Sequence, residues 1–132
     1  MSLKLDLGSL TGGVRSTIVS FDSPIPHHSN SIVRAFFNGI SINSATRISV
    51  RVYDNGLTAT ALRINIRIGA ETNAKEVYFS FMVFSPQKSR FASYGGGFNE
   101  KSFTDKKAYD LNKIIYGAHY VFHGFMGLQI SG

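Results

Sequence analysis

The chain has no cysteine, no tryptophan and only 3 prolines in 132 residues. Without cysteine there can be no disulfide, thiolate metal site or thiol nucleophile, so folding in a reducing compartment meets no obstacle. No apolar run approaches the length of a membrane span, and the N-terminal MSLKLDLGSL lacks the long apolar core of a signal peptide. These absences lead us to expect a soluble chain made in the cytoplasm, without membrane insertion. Release by lysis or a non-conventional route, or incorporation into a virion, stays open.

The signatures of nucleotide and hydrolase chemistry are missing too: GxxxxGK[ST], GxGxxG opening a helix, HExxH and GxSxG. Gly95-Gly96-Gly97 lies between aromatic residues, with no helix expected after it to cradle a phosphate. His27 and His28 are adjacent and so point to opposite sides of an extended chain, while His119 and His123 lack an acidic third ligand. Asp22, Asp54, Glu71, Glu76, Glu100, Asp105 and Asp110 fall mostly at turns, and no two stand out as a glycosidase couple. We therefore expect no enzyme, no metal and no cofactor.

What is present is a β vocabulary. Glycine is abundant, β-branched and aromatic residues dominate the apolar set, and short alternating runs recur about every ten residues, the signature of an all-β domain. The length suits one domain with a real core. The net charge of +6 suggests an anionic partner or simple solubility. The lysines gather in 101–113 and the arginines on central strands, so no tract resembles a nucleic-acid arm.

The most regular stretch is Ala45 to Ile68. Ile48, Val50 and Val52 share one face of its first arm, and Leu62, Ile64, Ile66 and Ile68 one face of its second. Arg47, Arg51, Arg63 and Arg67 occupy the opposite face, as in half-buried antiparallel strands. Asp54-Asn55-Gly56 has the chemistry of a tight turn. Folding about residue 57 sets Val52 across from Leu62, Val50 from Ile64, Arg51 from Arg63 and Arg47 from Arg67.

Around this hairpin, strands are expected at Leu3–Leu7, Arg15–Phe21, Ser31–Ile42 with a bulge near Gly39, and Glu76–Ser85. A flexible Gly8–Gly13 connection and a Glu71–Ala74 turn separate them. Glu76–Ser85 is apolar on both faces and so reads as central, or as buried between a sheet and a partner. A helical turn fits Thr104–Lys113, and one or two strands fit Ile114–Ile130. SIVRAFFNGISIN (31–43) aligns without gaps with HYVFHGFMGLQIS (119–131), sharing Val33/Val121, Phe37/Phe125, Gly39/Gly127 and Ile42/Ile130.

From Phe21 onward the chain resembles the H-type lectins, the family of snail agglutinins and the C-terminal domain of slime-mould discoidins. Phe21-Asp22-Ser23-Pro24 matches the family's F-x-S-P, and Ile32 to Ile42 its following apolar strand. Arg47-Ile48-Ser49-Val50 matches its R-V-x-V at a similar spacing. Leu62 stands at its G-F strand, Glu71-Thr72 at its [DN]-T, and Val77 to Phe84 at its last strand. The likeness covers about residues 15–85. It departs where the chain has no Trp, where Gly69-Ala70 replaces an aromatic and a polar sugar contact, and where Gly8 is the nearest counterpart of an acidic ligand. Residues 86–132 exceed the usual family domain.

The resemblance implies an antiparallel β-sandwich of six or more strands. It also implies a trimer, sometimes stacked as a hexamer, binding galactose or N-acetylgalactosamine glycans near subunit interfaces. Arg47 is the position it carries over as a sugar ligand, with Gly8, Ala70 and Glu71 at the family's other contact positions. The extra strands and basic balance also suit a viral or phage structural or receptor-attachment protein that uses the same sandwich as an assembly unit. A nucleic-acid reading, through the arginine face and stacking tyrosines, has no motif behind it.

Overall fold

The computed structural model describes residues 2–25, 31–84 and 124–131, and all of these form or connect β-strands. The strands are β1 (Leu3–Ser20), β2 (Ile32–Ala45), β3 (Arg47–Leu57), β4 (Ala61–Phe84) and β5 (Gly127–Ser131). Among the described residues they make one antiparallel sheet of five strands. The expected sixth strand is not among them. The expected helical turn at 104–113 and the four histidines lie outside the described residues.

The sheet is built on β4. Its 24 residues carry β1 along one side; β2 and then β3 lie end to end along the other. β5 extends the sheet beyond β3, pairing Ile130 with Ile48 and Leu128 with Val50. The expectation that Glu76–Ser85 is central holds for Glu76–Phe79, which run between β1 and β2, whereas Ser80–Phe84 pair with β2 alone.

Two expected interruptions are absent. Gly8–Gly13 lies inside β1, and Glu71–Ala74 lies inside β4. The chain takes up these segments as register shifts: β1 slips against β4 between Asp6 and Leu10 and again between Thr11 and Gly13. Positive φ at Gly8, Gly12 and Gly13 lets the strand bulge without ending. Around 71–74, side chains replace missing ladder bonds. Asn73 donates to Ser9 Oγ (2.9 Å) and Thr11 Oγ1 (2.7 Å) and accepts from Asn43 Nδ2 (2.8 Å). The bulge expected near Gly39 is present, with the shift between Phe37 and Gly39.

The β3–β4 hairpin forms, but four residues out of the expected register. Val50 pairs with Ile68, Val52 with Ile66 and Asp54 with Ile64. The turn is at Thr58–Ala61. Thr58 N–H donates to the Ala61 carbonyl (2.8 Å), and Thr58 Oγ1 accepts from Ala61 N–H (3.0 Å) and Thr60 N–H (3.3 Å). Asn55-Gly56 instead makes a bulge between Asp54 and Leu57, with Gly56 at φ 125°. The longer arm brings Leu57 against the core and gives the turn a hydroxyl that satisfies its backbone. A four-residue slip preserves parity, so the inward set is unchanged.

That inward set is the core. Leu62, Ile64, Ile66, Val52, Ala74 and Val77 are fully buried, and Val50, Ile68 and Phe79 nearly so. Along β4 the buried apolar positions are even-numbered through Ala74 and odd from Val77, while Asn65, buried on the other face, accepts from Ser16 Oγ at 2.6 Å. The switch is a bulge at Lys75, where Ser41–Ile42 of β2 faces Glu76 and Ala74. Val33 and Ala35 of β2 and Leu7 of β1 complete a single apolar cluster shared by both halves of β4.

Candidate functional site

Where the chain passes from β2 into β3, the Thr46 N–H donates to the Glu71 carbonyl at 3.1 Å and holds the junction on the middle of β4. This places Arg47 beside Glu71, with Nε 3.3 Å from Oε2. The pairing of Arg51 with Arg67, carried two alternate positions further, leads to the same neighbours. The two side chains are 65% and 52% exposed, so the ion pair lies on the surface with much of the guanidinium and carboxylate open to solvent.

Beneath it Thr72 is fully buried; its hydroxyl donates to the Arg47 carbonyl (2.6 Å) and accepts from the Ser49 N–H (3.0 Å). The backbone carrying Arg47 is thus fixed while its side chain is free to re-pair. Two hollows adjoin at Ala70 and Glu71. One, of about 460 Å³, is bordered by Arg47, Ser49, Gly69 and Gln129. The other, of about 270 Å³, is bordered by Thr11, Ser44, Thr46 and Asn73. The rims thus combine hydroxyl, amide and charged groups with the apolar surface of Ala45, Ile48 and Ala70.

Of the residues singled out in the sequence, Arg47, Ala70 and Glu71 meet at these hollows. Gly8 does not border them; it joins only through its carbonyl, which accepts from Asn43 Nδ2 (3.0 Å), with Asn43 also bound to Asn73. Thr46, Ser49, Thr72, Asn73 and Gln129 were not singled out. The hairpin parity already places Ser49 beside Arg47, whereas Thr72 and Asn73 were hidden by their reading as a turn, and Gln129 arrives only through β5.

The same sheet face carries more charge. Arg51, Arg63 and Arg67 are exposed, and Arg51 is directly opposite Arg67. The Arg51 guanidinium carbon lies 5.6 Å from the centre of the Tyr53 ring. Two expected pairs of opposed arginines thus reduce to one, because the register shift gives Arg47 a carboxylate instead. No group of three His, Cys, Asp or Glu that could hold a metal occurs among the described residues.

Comparison with protein-family models, characterised proteins and solved structures found no match to this chain.

Proposed function

We propose that this is a non-enzymatic carbohydrate-binding protein of H-type-lectin character. It recognises galactose- or N-acetylgalactosamine-type glycans at the Arg47–Glu71 groove and acts as a trimer or hexamer with its sites near subunit interfaces. In this reading the fold is an antiparallel sandwich of six or more strands. The observation that carries the reading is the exposed Arg47–Glu71 pair above a backbone clamped by Thr72. A guanidinium fork donates to adjacent hydroxyl oxygens while a carboxylate accepts from neighbouring hydroxyls. Single sugar sites bind weakly, and several on one oligomer raise the effective strength without new contacts.

A glycan array on the purified protein, run beside its mass in solution, tests this. Binding to terminal galactose or N-acetylgalactosamine, lost in Arg47→Ala and eluted by free galactose, is the expected result. Unchanged retention in Arg47→Ala would remove the site from consideration.

One observation favours an assembly module instead. Phe125, Met126, Leu128 and Ile130, on and beside β5, are exposed, Phe125 by 65%. An apolar edge of this kind suits subunit contact in a capsid-like or receptor-attachment particle. Large assemblies by light scattering that ignore sugar would favour that reading.

A further inference from the structure

Segments 47–53 and 61–70, which supply this half of the face from β3 and β4, contain four arginines (Arg47, Arg51, Arg63 and Arg67) and no Asp or Glu, whereas Arg15 of β1 pairs with Ile66 and so lies on the other face. Arg47 reaches a carboxylate by meeting Glu71 at the boundary. Among the described residues, Arg51, Arg63 and Arg67 form no ion pair; the one contact shown for them is that of Arg51 with Tyr53. Two like charges directly opposite on a sheet repel. Strand pairing holds the Arg51–Arg67 pair in place, and among the described residues the one carboxylate that β1, β3 and β4 bring to this half of the face, Glu71, is taken by Arg47.

The face is ordered in rows. Arg47 and Glu71 form the first and Arg51 and Arg67 the third. Between them lie Ser49 and Gly69, so close that a Cβ on Gly69 would come within 2.7 Å of the Ser49 Cβ. The middle row is therefore a low floor joining the groove to the paired arginines. Arg47 and Arg51, four residues apart along β3, are separated by about 13 Å at the rise of an extended strand. That span accommodates an extended oligosaccharide but exceeds one sugar ring.

We propose that this face binds an anionic glycan, with neutral hydroxyls at the Arg47–Glu71 groove and sulfate or carboxylate groups over Arg51 and Arg67. The inference rests on the carbohydrate reading above and adds the charge of the ligand to it. Guanidinium forks match sulfate and carboxylate oxygens two at a time, and such an anion relieves the Arg51–Arg67 repulsion. Single-stranded nucleic acid is the weaker fit, because sequence-tolerant binding needs successive aromatic platforms. Among the described residues that β1, β3 and β4 bring to this half of the face, Tyr53 is the one aromatic, with the Arg51 guanidinium over its ring.

The test measures binding of chondroitin sulfate, its chemically desulfated and carboxyl-reduced, hence neutral, counterpart (the desulfated form) and an oligothymidylate of charge equal to that of the sulfated polymer. The proteins are the unaltered chain, Arg47→Ala and the double variant Arg51→Gln/Arg67→Gln, each checked by circular dichroism and melting. We expect about tenfold or greater preference for the sulfated polymer. The double variant should reduce its affinity to that of the desulfated form, and binding of the desulfated form should still require Arg47. Equal, Arg47-dependent affinity for both polymers overturns the inference and leaves the carbohydrate reading standing. Oligothymidylate binding as tight as that of the sulfated polymer, and lost in the double variant, overturns it in favour of nucleic acid. Binding to none of the three overturns the inference, and the carbohydrate reading then stands or falls with the glycan array.

Discussion

Thr72 and Arg47 are joined by the hydrogen bond on which the candidate site rests: the buried hydroxyl donates to the arginine's carbonyl at 2.6 Å and accepts from Ser49 N–H at 3.0 Å. Here β4 has passed from pairing with β3 to pairing with β2, and one side chain serves a donor and an acceptor that would otherwise lack ladder partners.

Thr72→Val should therefore destabilise the fold by about 1–3 kcal/mol, the usual cost of leaving buried backbone groups unpaired. Valine keeps the branched shape, so the loss isolates the hydroxyl. Urea unfolding is the measurement, with the midpoint expected to fall at unchanged slope. Thr72→Ser, which keeps the hydroxyl, should recover much of the difference. An unaltered midpoint in Thr72→Val would show that the clamp adds nothing.

The Ser49–Gly69 approach yields a reciprocal prediction. A methyl group at residue 69 would sit 2.7 Å from the Ser49 Cβ, well inside contact distance, so Gly69→Ala must push β3 and β4 apart. We expect destabilisation of about 1–3 kcal/mol, as for overpacked sites. Ser49→Gly removes the colliding atom, so in the double variant much of the Gly69→Ala cost should be recovered. Additive effects in the double-mutant cycle would contradict the close approach.

The core prediction concerns Ile64, fully buried on the central strand. Ile64→Ala should cost about 2–5 kcal/mol through lost burial and the cavity left behind. Arg63→Ala, one residue away on the exposed face, should stay within about 0.5 kcal/mol. Comparing the two by thermal melting tests the inward–outward alternation directly, and equal effects would reject it.

That alternation was legible from the start, because period-2 patterning in 47–52 and 62–68 survives any even register shift. The register itself was not. Asn55-Gly56 carries the strongest turn chemistry in the hairpin, yet Gly56 uses its positive φ for a bulge. Thr58, a weaker turn former, closes the loop through its hydroxyl. The same limit concealed the length of β1 and β4, where glycines and Thr72-Asn73 read as breaks but act as bulges bridged by side chains. Arg47, Ala70 and Glu71 could be named through their places in a family pattern. Their meeting depended on the register that local sequence does not encode. The echo between 31–43 and 119–131 has one physical counterpart: its two phenylalanines, Phe37 and Phe125, face each other in an isolated bridge, with Phe37 N–H donating to the Phe125 carbonyl at 2.5 Å.

The last prediction concerns pH and the opposite end of the sheet, where Lys4, Asp6, Glu76 and Tyr78 meet across β1 and β4. The Tyr78 hydroxyl donates to Glu76 Oε1 at 2.6 Å, and Lys4 Nζ lies 3.6 Å from Glu76 Oε2. Tyr78's hydrogen bond first, and the Lys4 charge after it, hold the Glu76 carboxyl below its ordinary range against the opposing effect of desolvation. The same hydrogen bond raises the Tyr78 phenol, while Asp6 and then Glu76 raise Lys4. A depressed carboxyl stabilises the fold above its unfolded pKa, and that contribution disappears as pH falls through the folded value. A raised phenol or amine stabilises below its unfolded pKa, and that contribution disappears as pH rises through the folded value. Tyr78→Phe should thus be less stable than the unaltered chain at neutral pH. The two should converge below the ordinary carboxylate range and again above the raised phenol range. Urea midpoints taken from acid to alkali would show a difference largest in the middle and shrinking at both ends, and a constant offset would mean that Tyr78 contributes packing alone.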